Sequence, residues 1–306
     1  MAEASLVAGL RIGHAQDIAA RTGCTVLLGP FRAVADVRGM ATGSRELHAL
    51  APLALSPRAD AILFAGGSAY GLAAADGVMR WLERQGRGFP TPAGVVPIVA
   101  AAVIYDLATG RADIRPDAAM GEAACLAASD TPATGAVGAG SGATVGKILG
   151  PAAAMPGGTG IFTATEPAGT VTAVAVVNAL GDVRDAQGRI IAGARRADGS
   201  FADSAAILRL GMPPVPPPAA GNTTLIAVIT DAPLARTSLE ALARMAATGV
   251  ARRITPVHTP FDGDVVFAAS TSPEPQAIEP AALLALGAVA AYATEQAIER
   301  AVRLPA

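Results

Sequence analysis

Cysteine, histidine, aromatic and charged side chains are all scarce in these 306 residues. The two cysteines, Cys24 and Cys125, stand far apart and form no CxxC pair. That excludes a thiolate metal site and gives no support to a disulfide framework. The three histidines, His14, His48 and His258, are isolated and no HExxH occurs, so no zinc motif is expected. Charged residues make up 16% and the formal net charge is −2, with no long basic run. Nucleic acid demands a concentrated positive face, so it is not an expected partner. The first residues lack a cationic segment followed by an apolar run, the pattern of a secretory signal. The longest apolar stretches, 94–105 and 281–293, fall short of the roughly 20 residues that cross a bilayer. A soluble, cytoplasmic protein is the expectation.

What the chain has is apolar mass: 52% of its residues are hydrophobic, enough for a large core and too many for extended disorder. Apolar runs of strand length recur at 61–65, 98–105, 171–177, 225–229 and 265–269. They are continuous rather than alternating, which predicts strands covered on both faces. Between them lie segments of helical spacing. In 68–84, Leu72, Ala75, Met79 and Leu82 share one side. Thr237 and Glu240 read as a capping box opening a helix through Leu242 and Met245. Pro280 suits the first turn of a last helix toward Val302. The mixture predicts an α/β sandwich, sheets covered by helices, in a single domain over 1–306.

One stretch differs. Residues 211–220, GMPPVPPPAA, hold five prolines and read as an exposed connector, because proline cannot donate to a sheet. It runs directly into GNTTLIAVIT (221–230), a core strand. A threonine hydroxyl is a weak nucleophile unless a base takes its proton. A threonine that begins a chain carries its own base, an α-amine with pKa about 7.7–8.0. Within a precursor the same hydroxyl can attack the preceding carbonyl, giving an ester that water opens. Gly221 would permit an otherwise costly backbone conformation there. On local sequence alone, Asn222-Thr223-Thr224 is also a plain turn entering a β-branched strand.

The segments GNTTLIAVITDAPL (221–234) and HTPFDGDVVFAAST (258–271) resemble the family of self-processing aminopeptidases and nylon-oligomer hydrolases, which includes the D-aminopeptidase/esterases and β-peptide aminopeptidases. LFAGGSAYGLAAADGVMRWLE (63–83), AAVIYDLA (101–108), GAGSGATVGKILG (138–150) and AVAVVNALGDV (173–183) are similar to family segments in family order. The resemblance implies Thr223 as nucleophile and Asn222 as the residue whose carbonyl is attacked during maturation. It implies Asp262 and Asp264 as an acidic pair orienting the hydroxyl and amine, since an adjacent anion raises the pKa of an ammonium and holds it. It implies Lys147 as a cation of the catalytic network, Asn178 as an amide donor to the oxyanion, and Tyr105 as a further donor to oxyanion or substrate. Thr223 with two aspartates resembles the nylon-oligomer branch, which points to linear amides of ω-amino acids such as 6-aminohexanoate oligomers. The aminopeptidase branch more often pairs a serine nucleophile with Ser-x-Glu. Also implied are an αββα sandwich of the N-terminal-nucleophile type, scission into chains 1–222 and 223–306, and a homo-tetramer of processed protomers. No cofactor or metal is called for.

Other readings of the same residues stand beside these. Asp262-Gly263-Asp264 could form a hairpin turn or share a divalent cation. Gly138-Ala-Gly-Ser-Gly142 ahead of Gly146-Lys147 fails as a phosphate loop, because Ser141 replaces the first glycine of GxxxxGK. It reads instead as a loop that lets backbone pack close to the site. Gly66-Gly-Ser-Ala-Tyr70 fails as a nucleophile elbow, since Tyr70 replaces the second glycine. Ser68 is then expected to cap the following helix. Cys125 and Trp81 read as packing. The rival functions are an acyltransferase of the ornithine acetyltransferase type, told apart by product rising with added amine, and an unprocessed ligand-binding protein, told apart by an intact chain.

Overall fold

The structure, a computed structural model, describes residues 5–212 and 221–303. Most of the proline-rich connector, at 213–220, lies outside the described residues.

Nine strands among the described residues make one hydrogen-bonded sheet. They are β1 (Arg11–Asp17), β2 (Thr22–Val37), β3 (Ser44–Arg45), β4 (Ala59–Ala65), β5 (Val99–Val103), β6 (Gly158–Glu166), β7 (Gly169–Asn178), β8 (Thr223–Thr230) and β9 (Val265–Ser270). Their order is β6-β7-β8-β9-β2-β4-β5-β3, with β1 beside β2. The expected apolar runs fall on these strands, the run at 98–105 extending past both ends of β5. β2 is long because it serves both halves of this sheet: residues 22–28 pair with β1, residues 32–37 pair with β9. Between them, at Gly29-Pro30, the register with β4 shifts, since Pro30 has no N–H to give a ladder.

The burial pattern shows four layers. Leu27, Phe31, Ile62, Phe64, Ala100 and Ala102 from one half meet Val174, Val176, Leu225, Ala227, Val265 and Phe267 from the other. Phe64 and Phe267 join the halves, with ring centroids 5.9 Å apart. The alternate residues of the same strands face outward. Val26, Ala61, Leu63 and Ala101 pack under α1 (Ala74–Arg84) and α2 (Ala118–Leu126). After the short α3 (Ser204–Arg209), two long helices, α4 (Arg236–Arg253) and α5 (Pro280–Val302), cover Ala173, Ala175, Ile226, Val228 and Ala268. The single domain is thus the expected αββα sandwich.

Three local expectations differ. The capping box does not form: α4 already includes Arg236, its N-cap is Ala235 without a side-chain bond, and Thr237 lies inside the first turn. Ser68 caps nothing; it opens a 3₁₀ turn (Ser68–Ala73) that precedes α1, at φ 54°. The apolar run at 281–293 continues as helix to Val302, so α5, at 23 residues, is long and apolar enough to cross a bilayer. In this fold it instead covers the sheet. Its last turns carry Glu295 and Glu299 to Arg253 of α4, at 2.5 and 2.9 Å.

Phe267 is fully buried at the junction of the two halves. Phe267→Ala should therefore lower unfolding free energy by about 3–5 kcal/mol in equilibrium denaturation, whereas Leu53→Ala, fully exposed, should fall within about 0.5 kcal/mol of wild type.

Candidate active site

Register places the two central groups. β7 and β8 pair antiparallel with Asn178 opposite Thr223. Along β8, Leu225 and Ala227 face the space between the sheets, as do Val174 and Val176 along β7. Side chains alternate along a strand, so Thr223 and Asn178 share that inner face, at its open end. Thr223 is 4% exposed and Asn178 is fully buried.

The Thr223 hydroxyl donates to the carbonyl oxygen of Asn222 at 2.5 Å. That oxygen also accepts the Gly263 N–H at 2.8 Å. The contact arises because Asn222 sits in a parallel bridge with Asp262, extending the β8–β9 pairing backward. Only glycine suits position 263: a Cβ there would lie 2.8 Å from both Thr223 Oγ1 and the Ala41 carbonyl. Parallel pairing replaces the hairpin alternative for Asp262-Gly263-Asp264.

Lys147 reaches the same end of the strands. Its Nζ donates to Asn178 Oδ1 at 2.8 Å, to the Asn178 carbonyl at 3.0 Å and to the Gly221 carbonyl at 3.3 Å. Burial of the ammonium lowers its pKa from 10.5 to about 7, against the opposing pull of the Asp262 and Asp106 carboxylates. Asn178 Nδ2 donates to the carbonyls of Tyr105 and Gly221, each at 3.1 Å. Tyr105 therefore joins this network through its backbone. The glycine loop packs as tightly as expected: a Cβ at Gly140 would lie 2.3 Å from the Thr159 nitrogen.

The acidic pair stands just behind. Asp262 Oδ2 accepts the Thr259 N–H at 2.8 Å and its hydroxyl at 2.5 Å; burial and the neighbouring Asp264 charge raise its pKa well above 3.8. Asp264 Oδ1 accepts the Thr224 N–H at 2.6 Å, while Oδ2 accepts the His258 N–H at 3.1 Å and bonds its Nδ1 at 2.8 Å. In the continuous chain the Asp264 carboxylate holds the backbone next to Thr223, the Asp262 carboxylate holds Thr259, and neither bonds the Thr223 hydroxyl.

All seven residues implied by the resemblance thus meet at one end of the inter-sheet core. Three participants were missed. His258, read as isolated, grips Asp264. Asp106, buried, accepts the Thr22 hydroxyl and the Gly67 N–H, both at 2.7 Å; its signal was a lone charge closing the apolar run AAVIYD. Gly263 contributes only a backbone N–H. A pocket of about 60 Å³ opens beside Thr223, lined by Ala41, Gly43, Ser68, residues 103–105 and residues 221–223.

A four-layer αββα sandwich is the architecture of the Ntn hydrolase fold. The chain belongs to peptidase family S58, whose model matches residues 5–304, and it is a hydrolase of amide bonds. It is 42% identical to an uncharacterized aminopeptidase of Mycobacterium tuberculosis, over 95% of this chain and 91% of the relative. It is 32% identical to the 6-aminohexanoate-oligomer endohydrolase of Kocuria sp., over 86% of this chain and 73% of that protein. In fold it is similar to the L-aminopeptidase D-Ala-esterase/amidase of Ochrobactrum anthropi, described as a variant of the Ntn hydrolase fold (TM-score 0.73, 19% identity, 98% and 87% coverage). The Burkholderia sp. beta-aminopeptidase is similar too (TM-score 0.69, 21% identity, 96% and 84% coverage).

The lowered Lys147 pKa fixes a sign. Below about pH 7 the lysine is charged in folded and unfolded chains alike, and the full penalty of burying the ammonium applies. Between about 7 and 10.5 only the unfolded chain keeps that proton, so stability rises with pH. The melting temperature of Lys147→Met relative to wild type should therefore be highest at pH 6–7 and fall steadily toward pH 10 in a fluorimetric melt series.

Proposed function

We propose that this hydrolase activates itself by cutting the Asn222-Thr223 bond and then uses Thr223 as an N-terminal nucleophile. The supporting observation is the crowding of one carbonyl: the Thr223 hydroxyl and the Gly263 N–H both lie on the Asn222 oxygen. In self-cleavage the Thr223 oxygen bonds the Asn222 carbon, and its proton passes to the departing nitrogen. The Gly263 N–H stabilises the oxyanion meanwhile. The C–N bond breaks to leave an Asn222 ester and a free α-amine; water then splits the ester into the Asn222 carboxylate and the Thr223 hydroxyl. Lys147, with a pKa of about 7, and Asp262, raised toward neutrality, flank this segment and supply groups able to exchange protons at working pH.

In turnover the α-amine takes the hydroxyl proton, the oxygen adds to a substrate amide, the amine product leaves, and water releases the acyl group. Departure of the Gly221 carbonyl would remove one acceptor now bound by Asn178 Nδ2, leaving that N–H to donate to the substrate oxyanion. The substrate we favour is a linear amide of ω-amino acids, supported by Thr223 with Asp262 and Asp264 and by the 32% identical 6-aminohexanoate-oligomer endohydrolases. An aminopeptidase acting on β- or small-residue peptides is the second reading, favoured by the 42% identical relatives that carry that name. A homo-oligomer of processed protomers, a tetramer, belongs to the same proposal; α5 turns Leu284, Ala285, Ala288 and Tyr292 outward as apolar surface for it.

Intact mass spectrometry under denaturing conditions should find two pieces for wild type, 1–222 and 223–306, and one inactive piece for Thr223→Ala; a single active chain would end this reading. Asn178→Ala should reduce turnover by roughly 10²–10³-fold. An endohydrolase will still cut a 6-aminohexanoate trimer whose amino end is acetylated; an aminopeptidase will not.

A further inference from the structure

Ser68 is a residue that neither the motif reading nor the self-cleavage scheme uses. It lines the pocket beside Thr223, yet its backbone lies in the left-handed region, φ 54°, directly after Gly67 at φ 75°. Glycine and, to a lesser degree, asparagine occupy that region with ease; serine does not. The turn is held there from several sides. Asp106 Oδ1 accepts the Gly67 N–H at 2.7 Å, and Asp106 is itself tied to the Thr22 hydroxyl. The Ile104 carbonyl accepts the Ser68 N–H at 2.9 Å. No side-chain bond from Ser68 caps the turn it opens, and its hydroxyl has no hydrogen-bond partner among the described residues. A position needed only for its backbone would be served better by glycine, so the hydroxyl itself is what the strained turn presents.

The rest of the pocket says what it meets. Ala41, Gly43, Val103 and Ile104 are uncharged and small or apolar. A Cβ at Gly43 would fall 2.6 Å from Val103 Cγ2, so this wall is drawn in as close as the backbone allows. No carboxylate lines the pocket among the described residues: Asp106 is engaged by Thr22 and Gly67, Asp262 by Thr259. A free ammonium would enter without a counter-charge and lose its hydration. We propose that Ser68 is a substrate-binding residue, whose hydroxyl hydrogen-bonds a neutral amide on the acyl side of the scissile bond, and that this pocket selects slender, uncharged acyl chains. The proposal rests on Thr223 being the nucleophile, because Thr223 is the lining residue that makes this pocket a substrate site.

The test uses the full chain and two anilides of equal acyl length. N-acetyl-β-alanyl p-nitroanilide carries the amide; hexanoyl p-nitroanilide replaces it with hydrocarbon. Wild type should favour the first in kcat/KM by about tenfold, the worth of one ordinary hydrogen bond. Ser68→Gly frees the backbone and removes the hydroxyl: it should still cut itself fully and melt no lower than wild type. It should raise KM about tenfold for the amide-bearing anilide only. Ser68→Asn, which tolerates the same backbone and restores a polar group, should recover part of that loss. Unchanged kinetics in Ser68→Gly, an equal loss on both anilides, or a self-cut wild type that rejects the amide-bearing anilide each overturn the proposal. Failure of wild type to cut itself would instead strike at the nucleophile.

Discussion

The antiparallel register that sets Asn178 against Thr223 is the constraint from which the site follows. Because both residues fall on the inner parity of their strands, an amide and a hydroxyl end up facing the same gap at the mouth of a dry core. A slip of one residue would turn Thr224 inward and send Thr223 under α4 and α5. The apolar residues that follow, Leu225, Ala227 and Ile229 on one face and Ile226 and Val228 on the other, make that slip costly, since each face packs against its own layer. The core therefore holds the register, and the register holds the chemistry.

The electrostatics depend on the same placement. Lys147 is drawn out of water to bond oxygens at the strand ends, so its charge is weakened, and Asp262 is weakened in the opposite sense by burial beside Asp264. The opposed shifts bring a base and an acid toward the same pH range within one cluster, a condition for moving protons near neutrality. Asp264 differs: with donors from Thr224 and His258 on its two oxygens, it serves as an anchor for the strand start.

Much of this was legible in the sequence. Continuous apolar runs announced strands buried on both faces, and the order of motifs brought the principal residues to one family's site. What stayed hidden was whatever needed three dimensions. β2 was not among the expected strands, and its double service shows only in the pairing. His258 looked solitary because its partner lies across a bend in which His258 itself adopts φ 56°. Ser68 looked like a cap because serine before a helix usually is one; only the backbone angle reveals otherwise. Tyr105 was read for its phenol, whereas the structure engages its carbonyl. Gly263 contributes an N–H that any residue would own, so no spacing rule could single it out.

β8 lies between β7, from the first part of the chain, and β9, from the second, with hydrogen bonds along both edges. Once the backbone were cut at its start, nothing covalent would join the two parts, yet separating them would mean stripping an inner strand from the sheet. Such a molecule would have been assembled as one chain and would persist as a pair. Its return from the denatured state would be bimolecular and would lack the connection that first brought the strands together, so its durability would be a matter of how slowly it comes apart rather than how readily it re-forms.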